Sequence, residues 1–239
     1  MKLRDWKCAS VAAALMMTIL GIVNAGPFEE GMAAVERGDN ETAYRLWKPL
    51  AEQGVSEAQY NIGFMYFKGW GVQQNYAEAA QWFGRAAEQD NADAQFFLGL
   101  SYSAGRGVQQ DPERAVYWYR KAAEQGDVVA QFNLGVIYDK GRDIRQRRVI
   151  AEDDAEAIRW YRRAAQQGYS MAQMNLALIY LEGQAVPRDN VKAYKWLSIT
   201  GDADARELRD KLSARMPPGQ LKEARQLEKA WRLNLESDG

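Results

Sequence analysis

Two neighbouring stretches of the chain have the same length and the same residue types in the same places: "AEQGVSEAQYNIGFMYFKGWGVQQNYAEAAQWFGRA" (51–86) and "AEQDNADAQFFLGLSYSAGRGVQQDPERAVYWYRKA" (87–122). The period is 36 residues, and it continues. Residues 123–164 form a version of 42 residues, residues 165–205 another, and "FEEGMAAVERGDNETAYRLWKPL" (28–50) a degenerate first unit. A repeat of this length is one supersecondary unit that cannot bury its own apolar face. Its only route to a core is to stack on the next unit.

Each unit reads as two antiparallel helices joined by a tight turn. Ala58, Ile62, Met65 and Tyr66 recur at three- and four-residue spacing and give the first helix one apolar face. Gly69, Gly105, Gly141 and Gly183 stand where that helix should end, followed by Val72, Val108 and Val186 as apolar plugs. Asp39, Asn75, Asp111, Asp153 and Asp189 cap the second helix, with Pro112 at a first helical position. Glu78 and Glu156 sit three residues after their caps, as in a capping box. Gly63, Gly99 and Gly135, mid-helix, would each cost about 1 kcal/mol against alanine. Their recurrence therefore predicts that the second helix comes close there, through Ala79, Ala115 and Ala157. Trp82, Trp118, Trp160 and Trp196 recur seven residues after each cap and read as a core ladder.

With 47% hydrophobic residues and abundant Ala, Glu, Gln and Arg, the expected fold is an all-α solenoid of about five antiparallel helix pairs over 26–205. Residues 206–239 leave the repeat, and two amphipathic helices around Pro217-Pro218 are expected to cap the last apolar face.

The beginning of the chain is different. Lys2, Arg4 and Lys7 precede an apolar run from Cys8 to Val23, and Val23-Asn24-Ala25 closes it with small residues. This is the pattern of a signal peptide over residues 1–25, cleaved after Ala25, and it predicts a periplasmic or secreted protein. A run of 16 residues is short for an uncleaved spanning anchor, which needs about 20. From 31 basic and 32 acidic side chains, cleavage removes Lys2, Arg4 and Lys7 against Asp5, so the remainder is mildly acidic. Nothing in that balance attracts nucleic acid or an anionic membrane. The one cysteine, Cys8, leaves with the same segment, so no disulfide is available.

The pattern A-x-x-x-L-G-x-x-Y-x-x-G-x-G-V, a capping residue six positions after the first loop glycine, then A-x-x-W-[YF]-x-[RK]-A-A-E-Q-G, resembles the Sel-one-like repeat family, relatives of the tetratricopeptide repeat. The resemblance runs from residue 28 to about residue 202. It implies a right-handed α-solenoid that binds other proteins and performs no chemistry. Exported members of the family restrain sensor kinases, act as immunity proteins or scaffold cell-wall machinery. Two departures stand out: Ala177 replaces the mid-helix glycine in the last unit, and the third turn is six residues longer.

The resemblance also implies that the first helices line the concave side. The positions there that do not face the second helix are Tyr60, Phe64 and Phe67, then Phe96, Leu100 and Ser103, then Phe132, Val136 and Asp139, then Met174, Leu178 and Leu181, a mostly apolar row suited to a partner's amphipathic or extended segment. Packing between neighbouring units is the competing role for the first two members of each set. Phe67 and Trp70 are the most distinctive, because other units carry small or polar residues at those places. The long third turn offers Arg142, Arg145, Arg147 and Arg148 as a second recognition element for an acidic partner. The expected partner is thus an envelope protein, bound by a monomer, with no cofactor and no metal.

Catalysis has little to draw on. The chain has no histidine, and its one cysteine lies in the signal segment, so the commonest general base and the usual nucleophile pairs are missing. Glu88 and Glu124 read as solvated helix-end charges. The alternative function is peptidoglycan or polysaccharide binding, with Trp70 and its neighbouring rings as stacking platforms.

Overall fold

The computed structural model describes residues 26–140, 142–144, 147–150, 153–183 and 185–237. Twelve helices lie among them: α1 (Pro27–Glu36), α2 (Asn40–Glu52), α3 (Ser56–Lys68), α4 (Tyr76–Glu88), α5 (Ala92–Ala104), α6 (Pro112–Glu124), α7 (Val128–Lys140), α8 (Asp154–Gln166), α9 (Ser170–Glu182), α10 (Asn190–Thr200), α11 (Ala203–Ser213) and α12 (Pro218–Ser237). The first ten form five A/B pairs, each helix packing on the one before it and the one after. The result is an all-α repeat solenoid. Segment 1–25 and Gly141 lie outside the described residues.

The sequence starts and stops these helices at the expected places. Asp39, Asn75, Asp111, Asp153 and Asp189 each accept an N–H from the first turn of their B helix, at 2.9 to 3.2 Å. Gly69, Gly105 and Gly183 end their A helices in the left-handed conformation, which only glycine adopts without strain. One detail differs from the expected capping box. The Glu156 carboxylate does not reach back to its cap; it accepts from Trp160 Nε1 at 2.9 Å and from Arg159 at 2.9 Å.

One backbone bond recurs in four of the five A-to-B turns; in the first pair Asp39 N–H donates to the Ala34 carbonyl instead, at 2.9 Å. In those four the cap residue's N–H donates to a tyrosine carbonyl: Asn75 to Tyr66 and Asp111 to Tyr102 at 3.0 Å, Asp153 to Tyr138 and Asp189 to Tyr180 at 2.9 Å. The long turn between α7 and α8, the third of the full-length units and the fourth of the five pairs, keeps this bond in spite of its six extra residues, because they leave the helix pair as an antiparallel ribbon. Its strands are β1 (Arg142–Ile144) and β2 (Arg147–Ile150), and β2 lies against α6. The ribbon is a local addition to the helical fold that helix periodicity does not predict.

The mid-helix glycines are explained by rings. A Cβ on Gly63 would meet the Phe83 ring at 2.8 Å, on Gly99 the Tyr119 ring at 2.8 Å and on Gly135 the Tyr161 ring at 2.4 Å. The close neighbour is therefore chiefly an aromatic side chain of the B helix, with the Ala79 carbonyl a further contact at Gly63, at 3.3 Å. The same pairing extends into the degenerate first unit, where Gly31 lies under the Trp47 indole. In the last unit Leu197 stands at the ring position, and Ala177 replaces the glycine. A branched aliphatic side chain leaves room for one methyl group where a ring edge does not.

The tryptophan ladder is only partly a core feature. Trp82, Trp160 and Trp196 are buried as expected, but Trp118 is half-buried, its edge beside Tyr117. Trp160 and Trp47 are fully buried, and so are the rings one residue further on in the repeats, Phe83 and Tyr161, with Tyr119 nearly so.

Four buried glutamines tie consecutive units together. Gln59, Gln95, Gln131 and Gln173 each donate Nε2–H to the carbonyl of an alanine in the last turn of the preceding B helix, Ala51, Ala87, Ala123 and Ala165, at 3.0 to 3.2 Å. Three of them accept in turn from the glutamine just past the next B helix: Gln89 to Gln59 at 2.7 Å, Gln125 to Gln95 and Gln167 to Gln131 at 2.9 Å. Buried amides are tolerated here because both ends are paired. Beyond the repeats, α11 and α12 cover the last pair, burying Ala205, Leu212, Met216 and Ala224, and Arg232 donates to the Ser198 carbonyl at 3.0 Å.

Candidate functional site

The A and B helices bury their side chains differently. A B helix such as α8 is strongly two-sided, whereas α3, α5, α7 and α9 carry apolar residues around most of their circumference. One side of each A helix is consumed by the core: Ala58, Ile62 and Met65 on α3, Ala94 and Leu98 on α5, Ala130, Leu134 and Ile137 on α7. Tyr60, Phe67, Trp70, Phe96, Leu100, Phe132 and Val136 remain half-buried on the other side.

Phe64 departs from the rest of this row. At 8% exposure it is core, packed with Phe83 and Leu98, and is removed from any recognition surface. Around it the structure gathers a cluster of rings. Phe67 lies 5.4 Å from Phe97, 5.5 Å from Tyr76 and 6.3 Å from Phe83, while Trp70 meets Phe64 edge-on at 5.5 Å. Tyr60 joins at 6.0 Å from both Phe83 and Phe97. Phe96 connects through Phe97 at 5.2 Å and rests on Tyr119 at 5.8 Å. The Lys68 ammonium sits 5.6 Å above Phe64 and 5.7 Å above Phe67.

Phe97 is the residue the spacing argument missed, although the sequence carried its signal. The equivalent places in other units hold Asn61, Asn133 and Asn175. The physical reason is the ring it faces on the preceding B helix. Asn175 hydrogen-bonds the Tyr161 hydroxyl, whereas Phe83 has no hydroxyl, and Phe97 stacks on it at 5.2 Å and 20°.

The remaining predicted residues do not join this cluster. Phe132 packs on Tyr161 at 5.9 Å and on Tyr169 at 5.1 Å, and with Val136 it rests, partly buried, against the core of the last units. Arg142, Arg147 and Arg148 fall on the ribbon strands, away from the ring cluster along the chain, and Arg145 lies outside the described residues.

The titratable groups nearby are structural. Tyr66 accepts or donates to Tyr44 at 2.9 Å, and that bond, with burial, pushes its phenol up to about 12. Burial, then the Asp139 carboxylate, raises Tyr161 further still. Glu88 and Glu124 are exposed, and among the described residues no group of three or more acidic, histidine or cysteine side chains is placed to hold a metal. No described helix is long and apolar enough to cross a membrane.

Paired helices stacked at a fixed period, bolted in four of the five turns by the same bond and presenting a row of half-buried rings, define a helical-repeat solenoid of the protein-interaction type. The chain belongs to the Sel1 repeat family, whose model matches residues 23–55, 56–91, 92–127, 128–169 and 170–203. Those units begin at the A helices, so the ribbon lies inside the fourth. Among solved structures, a Sel1 repeat protein from Oxalobacter formigenes is 33% identical with a TM-score of 0.70, covering 88% of this chain and 84% of its own. A protective antigen of uropathogenic Escherichia coli with the same repeat fold is 24% identical, TM-score 0.47, covering 86% of this chain and 60% of its own. An immunity protein from Pseudomonas aeruginosa is 18% identical, TM-score 0.44, covering 88% and 85%. No curated protein matches the chain.

Proposed function

We propose that this protein is an exported adaptor of the bacterial envelope that holds a partner protein against the half-buried apolar row of its A helices. Sel1 repeat proteins mediate protein–protein interaction, and one observation specifies where this one would do so. A helix that is apolar around most of its circumference belongs largely in an interior, yet α3, α5 and α7, with Trp70 in the turn after α3, leave Tyr60, Phe67, Trp70, Phe96, Leu100, Phe132 and Val136 half-exposed. A partner segment inserted along that row would complete the burial. Export rests on the basic, apolar and small-residue pattern of residues 1–25.

The experiment is affinity capture of the tagged chain after crosslinking in its native cells, with fractionation of the envelope. The reading expects the processed chain in the envelope fraction and a stoichiometric protein whose recovery falls at least about tenfold with Trp70→Ser/Leu100→Ser. A partner captured equally by the variant would refute the row, and an unprocessed cytoplasmic chain would refute export.

A further inference from the structure

The B helices carry a second feature, which the A-helix row does not use. On α6, α8 and α10 the cations concentrate around aromatic rings. Arg120, Arg159 and Arg163 surround the Trp160 indole, with guanidinium carbons 5.9, 5.4 and 4.9 Å from the ring centre. Among the described residues one carboxylate, Glu156, pairs with this group, through Arg159, and it also accepts from the indole N–H. One unit further on, Arg162 donates to the Tyr180 hydroxyl at 2.6 Å, Lys192 lies 5.3 Å over the Tyr180 ring, and Lys195 lies 4.4 Å over Trp196. Again there is one carboxylate, Asp189, bound to Lys192 at 2.8 Å.

Two carboxylates, Glu156 and Asp189, pair within this group of six cations, while Asp111, Glu113, Glu124, Asp153 and Asp154 also lie on or cap α6 and α8, on a chain whose formal net charge is −1. Among the described residues neither Arg163 nor Lys195 reaches a carboxylate. Both are half-buried and held in place by the ring beneath them. Burial, and then the Arg162 guanidinium, hold the Lys195 ammonium below its ordinary range, so the cluster gains if an anion arrives. The arginines are pre-oriented as well. Arg120 is fixed by the Tyr138 hydroxyl at 2.6 Å as Arg162 is by Tyr180, so part of the ordering cost is met before any partner binds.

We propose that the α6–α8–α10 face is a docking surface for an acidic protein segment, its carboxylates seated on the Trp160 and Trp196 cation clusters. Planar guanidinium groups match discrete carboxylates, and two clusters one repeat apart suit spaced Asp and Glu side chains. An extended polyanion or a charged bilayer would instead meet the negative balance of the rest of the chain. The surface is independent of the A-helix row.

The test is fluorescence anisotropy of a labelled glutamate-rich peptide with the full repeat chain, with the uncharged glutamine version, phosphatidylglycerol vesicles and heparin run in parallel. The account expects salt-sensitive binding of the glutamate peptide alone, weakened about tenfold or more by Arg163→Glu/Lys195→Glu, weakened less by Arg163→Gln/Lys195→Gln and unchanged by Trp70→Ser. Circular dichroism melts establish that each variant is folded. No binding of the glutamate peptide, or binding that survives charge reversal in a folded variant, overturns the proposal. So does equal or tighter charge-dependent binding of vesicles or heparin, which would assign the face to a different anion.

Discussion

At the scale of single residues, the molecule is governed by pairs that meet across a helix contact. Gly31 with Trp47, Gly63 with Phe83, Gly99 with Tyr119 and Gly135 with Tyr161 are four versions of one contact, and Ala177 with Leu197 is its aliphatic form. Gly135→Ala should cost about 1 to 2 kcal/mol in urea unfolding, since a methyl group 2.4 Å from the Tyr161 ring outweighs the helix propensity gained. In a Tyr161→Leu background the same change should cost at least about 1 kcal/mol less. Strict additivity would show that the glycine answers to something other than the ring. The sequence made the need for a close neighbour legible, because glycine recurs where it is costly. It did not identify the neighbour, since spacing along a helix does not say which of two adjacent side chains, Trp160 or Tyr161, points at the glycine. Tyr66 gives a pH signature. Its phenol is raised from 10.0 to about 12 in the fold, mainly by the Tyr44 hydrogen bond, so the unfolded chain ionises first. The stability it contributes is complete below pH 10 and is lost as pH rises towards 12. Tyr44→Phe should flatten that decline; an unchanged slope would place its origin elsewhere.

At the scale of elements, the turns and the glutamine ladder make each helix pair interchangeable with the next. The Asp153 to Tyr138 bond has the same 2.9 Å length as the Asp189 to Tyr180 bond, although only the former spans the insertion. Excising six residues from the third turn should therefore leave helical circular dichroism and the melting temperature unchanged within about 0.5 kcal/mol of stability. Loss of cooperative unfolding would mean that the ribbon against α6 is structural. Gln131→Leu should do the opposite damage, costing about 1 to 3 kcal/mol, because the Ala123 carbonyl is left unpaired in a buried site. A neutral result would show that water reaches that carbonyl. Asn75, Asp111 and Asp189 were legible as caps six residues after a glycine, and Asp39 and Asp153 by their place before the B-helix pattern. The glutamines were visible as the repeated A-Q and E-Q pairs, but their partnership joins residues 30 and 36 positions apart, a link that local periodicity does not carry. The ribbon was invisible for a related reason: two short strands rich in arginine have no apolar alternation to announce them.

At the scale of the whole molecule, the stacking of five pairs makes stability a sum of neighbouring interfaces, and the ends matter most. Removing α11 and α12 should strip hydrogen-exchange protection from α9 and α10 first and leave α3 and α4 protected. Uniform loss across all pairs would show that the array folds as one unit instead. The candidate site was partly legible at this scale. The row of A-helix apolar residues follows from the repeat, whereas the burial of Phe64 and the central place of Phe97 follow from the particular ring on α4. The central claim is that the A-helix row is where a partner protein sits. The most direct measurement is site-specific photocrosslinking in native cells, with a photoreactive phenylalanine replacing Phe67 in one strain and Tyr117, exposed on α6, in another. The account predicts one discrete protein adduct from position 67 that position 117 does not give. No adduct from position 67, or the same adduct from both positions, would contradict it.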